Sequence, residues 1–391
     1  MAETTPPSPK SGHPRAVVAL LIVATLLTVV GIFSIWINRQ ALNTDNWVNT
    51  STKLLQNKDI QGQLAIYLSD QLFANVNVEE ELQKALPPKL APLAGPASGA
   101  LEQLAPQAAE KALERPKVQE LWESANRAAH EALLKVINGG GPAVSTGGGE
   151  VTLNLGTLLG QIGEKLGVGG KIAEKIPPEA GQITVLKSSQ LSTVQSVAKL
   201  IRRLPVVLTL LVILLYGFAI YLAGPRRRET LRSVGICFLI AGVVTLILRG
   251  FVGNEVVDAL AKSESVKPAT EAVWSIGTSL LATVATSAIA IGILLVVAAW
   301  LVGPTRFAVR FRREAAPYVE EHRAGAYAVA GLVFLALIAW APIPALGTAL
   351  GIILFAVLFA LGTEFLCRQI LRESSDRGAA ETDGQTTAAE T

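Results

Sequence analysis

The chain has 391 residues, of which 50% are hydrophobic and only 17% charged, with a net charge of +3 and a mean hydropathy of +0.43. Soluble domains carry nearer a quarter charged residues, so lipid is part of this chain's solvent, and a disordered or collagen-like polymer is excluded. Two cysteines make no disulfide scaffold, and +3 over the whole length is no nucleic-acid footprint.

The tail, residues 1–15, carries Lys10 and Arg15 and precedes an uncharged run of 22 residues, Ala16–Ile37. At 1.5 Å per residue the run reaches roughly 33 Å, enough to cross a bilayer core. A basic tail before an apolar run has the form of a secretory leader. The run exceeds a leader's usual apolar region, however, and Ile35-Trp36-Ile37-Asn38-Arg39 offers no small-residue cleavage site. Residues 16–37 are therefore expected to be an uncleaved signal anchor and the first transmembrane helix.

Residues 38–203 hold 17 Lys or Arg against 16 Asp or Glu, a balanced surface with no strong pull on anionic polymers. That length suffices for a core of its own. Asp59 is expected to cap a helix to about Phe73, with Leu64, Leu68 and Leu72 one turn apart, and Asn77-Val78-Glu79-Glu80 to open a short helix to Leu86. Residues 87–106 are rich in proline, alanine and glycine, so helix there is expected to be interrupted. Pro116 suits the first turn of a helix whose Val118, Leu121, Trp122, Ala125, Ala129, Ala132, Leu133 and Val136 form an apolar stripe. Glu123–Arg127 and Glu131–Lys135 are i,i+4 pairs on its solvated face, and His130 is expected on the polar side among Glu123, Asn126 and Arg127. Asn138–Gly149, with six glycines in twelve residues, reads as a flexible loop. Val151–Leu155 and Gln182–Leu186 are rich in β-formers and predict a small ribbon. Ser188 or Ser189 then caps a helix through Arg203, whose Leu191, Val194, Ala198 and Ile201 make a packing seam and a stalk into the next span.

Further transmembrane helices are expected at 204–224, 233–249, 276–302, 324–341 and 345–366, with an outer loop at 250–275, a cytoplasmic loop at 303–323 and a disordered cytoplasmic tail at 367–391. The apolar stretch Ala326–Leu366 is too long for one helix, and Pro342 and Pro344 break it. Two full spans or a re-entrant pair both satisfy that break. Arg226, Arg227, Arg228 and Arg232, then Arg306, Arg310, Arg312, Arg313 and Arg323, then Arg368, Arg372 and Arg377 all fall on one side if there are six spans with both termini cytoplasmic. Residues 38–203 then lie outside the cell membrane. Trp36, Trp274 and Trp340 sit at outer boundaries and Trp300 at an inner one, as an aromatic belt requires. The expected fold class is thus an all-α membrane protein: six transmembrane helices plus a mainly helical extracytoplasmic domain with a small β element.

Leu42-Asn43-Thr44-Asp45-Asn46-Trp47-Val48-Asn49-Thr50, together with Asp59-Ile60-Gln61 and the Gly224-Pro225-Arg226-Arg227-Arg228 turn, resembles a family of actinobacterial multi-pass integral membrane proteins of uncharacterised function. The resemblance implies a signal anchor, an extracytoplasmic helical domain and a C-terminal membrane bundle in a bacterial plasma membrane. It brings no catalytic or binding residue. Separately, Tyr221-Leu222-Ala223-Gly224-Pro225-Arg226-Arg227 recurs as Trp300-Leu301-Val302-Gly303-Pro304-Thr305-Arg306. Duplication of a helical hairpin and the simple quality of glycine-proline as a helix stop both account for it.

The sequence offers no catalytic, cofactor-binding or metal residues. His13, His130 and His322 are scattered, Cys237 and Cys367 lack metal-ligand spacing, and Gly169-Gly170-Lys171 lacks the glycine and hydroxyl of a phosphate loop. No mid-membrane charge marks a transport path; Glu364 lies one turn before Arg368, near the inner end of the last span. Ser279, Thr283 and Thr286 or Ser287 share a face of the fourth span, and Gly347 and Gly351 a face of the last, the spacing of helix packing. The reading that follows is a non-enzymatic envelope scaffold or interaction protein acting through its extracytoplasmic domain, with membrane lipids and an envelope protein as partners. The alternative is lipid or small hydrophobic molecule handling by the membrane bundle beside the fourth span. A membrane hydrolase working through His130 stands third.

Overall fold

The structure is a computed structural model describing residues 14–138, 144–145, 150–154, 182–303, 305–340 and, between 352 and 371, all but 354, 358, 361 and 365. Pro342, Pro344, Gly347, Gly351, Gly169-Gly170-Lys171 and His13 lie outside the described residues. Two units are distinguished: Met1–Phe33 with Val206–Leu248 and Leu281–Thr391, and Ser34–Pro205 with Arg249–Leu280.

The first unit draws on α1 (Pro14–Leu42), α7 (Ser188–Leu222), α8 (Arg227–Leu260), α10 (Ser279–Leu301), α11 (Arg306–Glu321) and α12 (Arg323–Trp340). Among the described residues, four helices are long and apolar enough to cross a membrane: Pro14–Leu42, Thr193–Leu222, Gly224–Leu260 and Ser279–Leu301. Ala324–Ile338, within α12, is apolar but shorter. Ile22, Leu214 and Ile247 are 57%, 68% and 64% exposed on these helices, large apolar faces that require lipid rather than water. Between the helices, Ala24, Val212, Tyr216 and Val234 form a buried cluster, with the Tyr216 hydroxyl 3.4 Å from Thr25 Oγ1 and from Thr28 Oγ1.

Helices α8 and α10 cross with almost no side chain between them. A Cβ on Gly235 would stand 2.9 Å from the Gly292 carbonyl oxygen, and one on Gly292 would stand 2.7 Å from that of Gly235. At the end of α10, the buried Arg312 reaches back from α11 and donates to the carbonyls of Leu301 and Gly303. It thereby satisfies acceptors that a helix C-terminus leaves open. Both copies of the repeated heptapeptide end a helix, and Gly224 adopts φ +55, a conformation that favours glycine. Downstream they differ: a 3-10 turn (Gly224–Arg226) leads directly into α8, whereas Thr305 caps the separate helix α11.

The second unit contains α2 (Thr44–Gln56), α3 (Lys58–Asn75), α4 (Val78–Ala85), α5 (Ala94–Leu113), α6 (Pro116–Ile137) and α9 (Lys267–Gly277). Asn43, Asn57 and Asn77 cap α2, α3 and α4, each side-chain oxygen accepting from the backbone N–H three residues on. The cap of α3 is therefore Asn57 and not the expected Asp59. Asn57 precedes the helix with extended backbone, while Asp59 lies inside the first turn, where its charge meets the helix dipole. The expected interruption over 87–106 ends at Ala94, from which α5 runs unbroken through Pro106. Pro96 occupies the first turn, where no N–H is needed, and packing of α5 against α3 outweighs the bond that Pro106 forfeits. Strands β1 (Val144–Ser145), β2 (Glu150–Asn154) and β3 (Gln182–Lys187) form an antiparallel sheet in that order, with a register shift between Val151 and Thr152.

The segment expected as an outer loop, 250–275, is a helical hairpin. Helix α8 spans 34 residues, about 51 Å at 1.5 Å per residue and well beyond a bilayer core. From Arg249 onward it belongs to the second unit, where α9 packs on α2 and α3. Arg249 Nε donates to Thr278 Oγ1 at 2.7 Å, Trp274 Nε1 donates to the Arg249 carbonyl at 3.2 Å, and Gln63 Nε2 donates to the Ser265 carbonyl at 3.0 Å. Charges at Glu255, Asp258, Glu264 and Glu271 disguise this hairpin as loop in a hydropathy reading. Gly253 leaves room for the Trp274 ring, since a Cβ there would lie 2.3 Å from Nε1. Gly253→Val is expected to displace the ring and destabilise the hairpin by about 1–3 kcal/mol. Faster hydrogen exchange across α9 checks it; unchanged exchange would contradict the packing role.

Candidate functional site

On α3 and α5 the second unit buries small residues such as Ala65, Ser69 and Ala94 and leaves large apolar ones exposed. Ala65, Ala94, Ala132 and Val136 are buried, whereas Leu68, Leu72, Leu101 and Leu104 are 44%, 50%, 46% and 56% exposed. Leu68 and Leu72 lie one turn apart on α3. Leu101, Leu104, Ala105, Ala108 and Ala109 follow the spacing that puts them on one face of α5. Leucine ridges facing small alanines leave a hollow between α3, α4 and α5. Phe73 and Val78 complete its wall, and its volume is about 440 Å³. That lies within the range of small-ligand sites, yet the hollow is more open than enclosed. Its lining holds no ionisable group, and Ser69 is its one hydroxyl. Such a lining offers apolar contact and no proton transfer.

The 42–50 motif builds a joint between α2 and α6. Asn43 caps α2, Asn46 Nδ2 donates to the Arg39 carbonyl at 3.1 Å, and Gln40 Nε2 donates to Thr50 Oγ1 at 3.1 Å. Arg127 Nη1 meets Asp45 Oδ1 at 2.7 Å, closer than Glu123 at 3.9 Å, and this pairing raises the guanidinium pKa. Trp122 Nε1 donates to the Ser51 carbonyl at 3.0 Å. His130, expected on the polar side, is instead buried at 2% exposure and stacked on Trp47, with ring centroids 5.0 Å apart. Its Nε2 lies 3.2 Å from the Ala41 carbonyl and its Nδ1 lies 3.1 Å from Thr44 Oγ1. A carbonyl only accepts, so the neutral ring carries its proton on Nε2 and accepts the Thr44 hydroxyl at Nδ1. Burial pushes the imidazole pKa down, against the opposing pull of the Ala41 bond and Glu131. Both ring nitrogens and one ring face are thus engaged in holding the end of α1 and the start of α2 to α6. The apolar stripe of α6 is correspondingly narrower than expected, with Leu121 and Leu133 at 46% and 38% exposure.

The structure separates the hydroxyls of α10. Thr283 and Thr286 lie on its exposed side and Ser287 on its buried side. Thr286 donates to the Ala282 carbonyl at 2.9 Å and Ser287 to that of Thr283 at 2.7 Å, while Ser279 donates to that of Ile276 at 2.7 Å. Glu364 accepts from both Tyr327 and Arg368, so its charge is held at a local cluster. Cys367 packs with Val319 and Ile370, Cys237 is partly buried, and His322 ends α11. Among the described residues no group of three or more His, Cys, Asp or Glu side chains could hold a metal.

The hollow is the feature least visible in the sequence. Its α3 half is announced by the leucines at 68 and 72, but its α5 half lies in the proline- and alanine-rich segment that reads as broken. No family model, no curated protein and no solved structure matches the chain.

Proposed function

We propose that the chain is a non-enzymatic interaction protein of the bacterial plasma membrane that acts through its helical domain. In this reading six spans place both termini in the cytoplasm, and residues 38–203 with the 249–280 hairpin face the envelope. The distribution of arginines among the inter-helix segments supports the topology. The observation that carries the function is the open apolar hollow, along which leucines of α3 and α5 stand exposed. An apolar surface of this kind marks an interaction site, and a groove flanked by leucine ridges fits the apolar face of a partner helix.

A photo-crosslinking side chain at Leu72 or Leu104, in native membranes, is expected to give one discrete protein adduct. The same probe at Lys117, exposed on α6, should not give it, and Leu101→Asp should abolish the adduct at Leu72. Lipid adducts alone would overturn the protein-partner reading in favour of a second one, handling of a lipid or small hydrophobic molecule. That second reading draws on the same lining, apolar but for Ser69; the bundle face beside α10 supports it less, because the Thr286 and Ser287 hydroxyls already donate within their own helix.

A further inference from the structure

Helix α11 divides its circumference into three stripes. Ala308, Arg312 and Val319 are buried, and Arg312 ties the helix to the end of α10 through the Leu301 and Gly303 carbonyls. Phe307, Phe311 and Tyr318 are 72%, 50% and 76% exposed. At 3.6 residues per turn they fall within an arc of about 40°. Arg306, Arg310 and Arg313, all exposed, form the adjoining stripe. Trp300, in the last turn of α10, stacks on Phe307 at 6.1 Å and extends the aromatic strip. Three large aromatic side chains so fully exposed are poorly placed in bulk water. They are well placed where they stand, on a helix separated by four residues from one long and apolar enough to cross a membrane. An aromatic stripe beside an arginine stripe is the pattern of a helix lying in the membrane–water interface, with rings at the headgroup level. Guanidinium groups there match the oxygens of phosphate.

We propose that α11 lies in the interface, seating Phe307, Phe311 and Tyr318 at the acyl boundary while Arg306, Arg310 and Arg313 hold the phosphates of anionic lipid headgroups. The occupant is a lipid surface, because the aromatic stripe demands hydrocarbon beside the anion. Among the described residues, Glu314, which pairs with Arg310 at 2.9 Å, is the carboxylate that a headgroup must displace. This inference is independent of the apolar hollow and requires only that α10 cross the bilayer.

The test uses the full chain, with Cys237 and Cys367 replaced by alanine, in nanodiscs of phosphatidylcholine containing phosphatidylglycerol. Single spin labels at 307, 311 and 318 are expected to collide more with oxygen than with an aqueous nickel complex, and labels at 310 and 313 the reverse. The triple variant R306Q/R310Q/R313Q is expected to retain at least about tenfold less phosphatidylglycerol relative to phosphatidylcholine on mild extraction. It removes only exposed side chains and should keep its helical content. The Arg312→Gln variant serves as contrast, loosening α11 itself. Equal nickel accessibility at all five positions, or an unchanged lipid ratio in the triple variant, would overturn the proposal.

Discussion

Gly242→Val is expected to force α8 and α10 apart and to abolish the stable bundle. A Cβ at position 242 would stand 2.5 Å from Ile289 Cγ1 and 2.6 Å from the Ala285 carbonyl oxygen, and Ala285 is itself fully buried. The first clash could relax by rotation of a side chain; the second is with backbone and can relax only if the helices separate. Overpacking alone costs about 1–3 kcal/mol, and separation also forfeits the dispersion attraction between the two helices along their crossing. Gly292→Val should behave alike, because its Cβ would meet the Gly235 carbonyl at 2.7 Å. Gly217→Ala on α7 is the control: nothing lies within 4 Å of its Cβ, so removing a helical glycine should be neutral or stabilise by about 0.5–1 kcal/mol. The fraction remaining monodisperse after heating in detergent separates these outcomes. Gly242→Val surviving as well as Gly217→Ala would refute the close crossing.

The second large effect is a pH dependence of the α2–α6 joint. Burial lowers the folded-state pKa of His130 below its ordinary value of 6.5. The unfolded chain therefore binds this proton more readily, and the joint is fully stable only above pH 6.5. Stability falls as pH drops through that value and goes on falling until the folded-state pKa is reached, with a slope no steeper than about 1.4 kcal/mol per pH unit. Protonation of Nδ1 also turns the Thr44 hydroxyl from donor to acceptor. The protection of α2 and α6 amides, corrected for the intrinsic pH dependence of exchange, is expected to fall between about pH 7 and pH 5, ahead of the range in which ordinary carboxylates protonate. His130→Phe keeps a ring against Trp47 but leaves Thr44 and Ala41 without their partner, a loss of about 1–3 kcal/mol. It should therefore be less protected at neutral pH and lose the pH dependence of that protection. A slope persisting in His130→Phe would assign the titration to another group.

The resemblance motif acquires a physical meaning from this joint. Thr44 and Trp47 both engage His130, Asp45 engages Arg127, and Asn46 engages the Arg39 carbonyl. The motif thus reads as architecture. What a ligand would meet lies on α3 and α5, in residues that carry no motif.

Much of the chain is legible because its determinants are local. Crossing a bilayer takes about twenty consecutive apolar residues, and such runs at 16–37, 204–224 and 276–302 stand out in the bare sequence. Pro116 opens α6 and Asn77 caps α4 as expected, since a cap acts within one turn. Asp59 misleads because two polar residues two positions apart can both cap, and only the backbone conformation of Asn57 decides between them. The segment 94–113 misleads because propensity counts its prolines and glycines but not the α3 surface on which it folds.

Composition and apolar periodicity by themselves determined that this is a largely helical chain with helices long and apolar enough to cross a membrane, and an evenly charged segment between the first two of them. Tertiary structure alone decided that His130 is buried, that residues 249–280 join the second unit and that glycines meet where α8 crosses α10. It alone decided, too, that leucines of α3 and α5 line an open hollow. The reason is one of range: a helix and its caps are set by neighbours within four residues, whereas the face a helix buries is set by partners as distant as Thr44 is from His130 or Gln63 from Ser265.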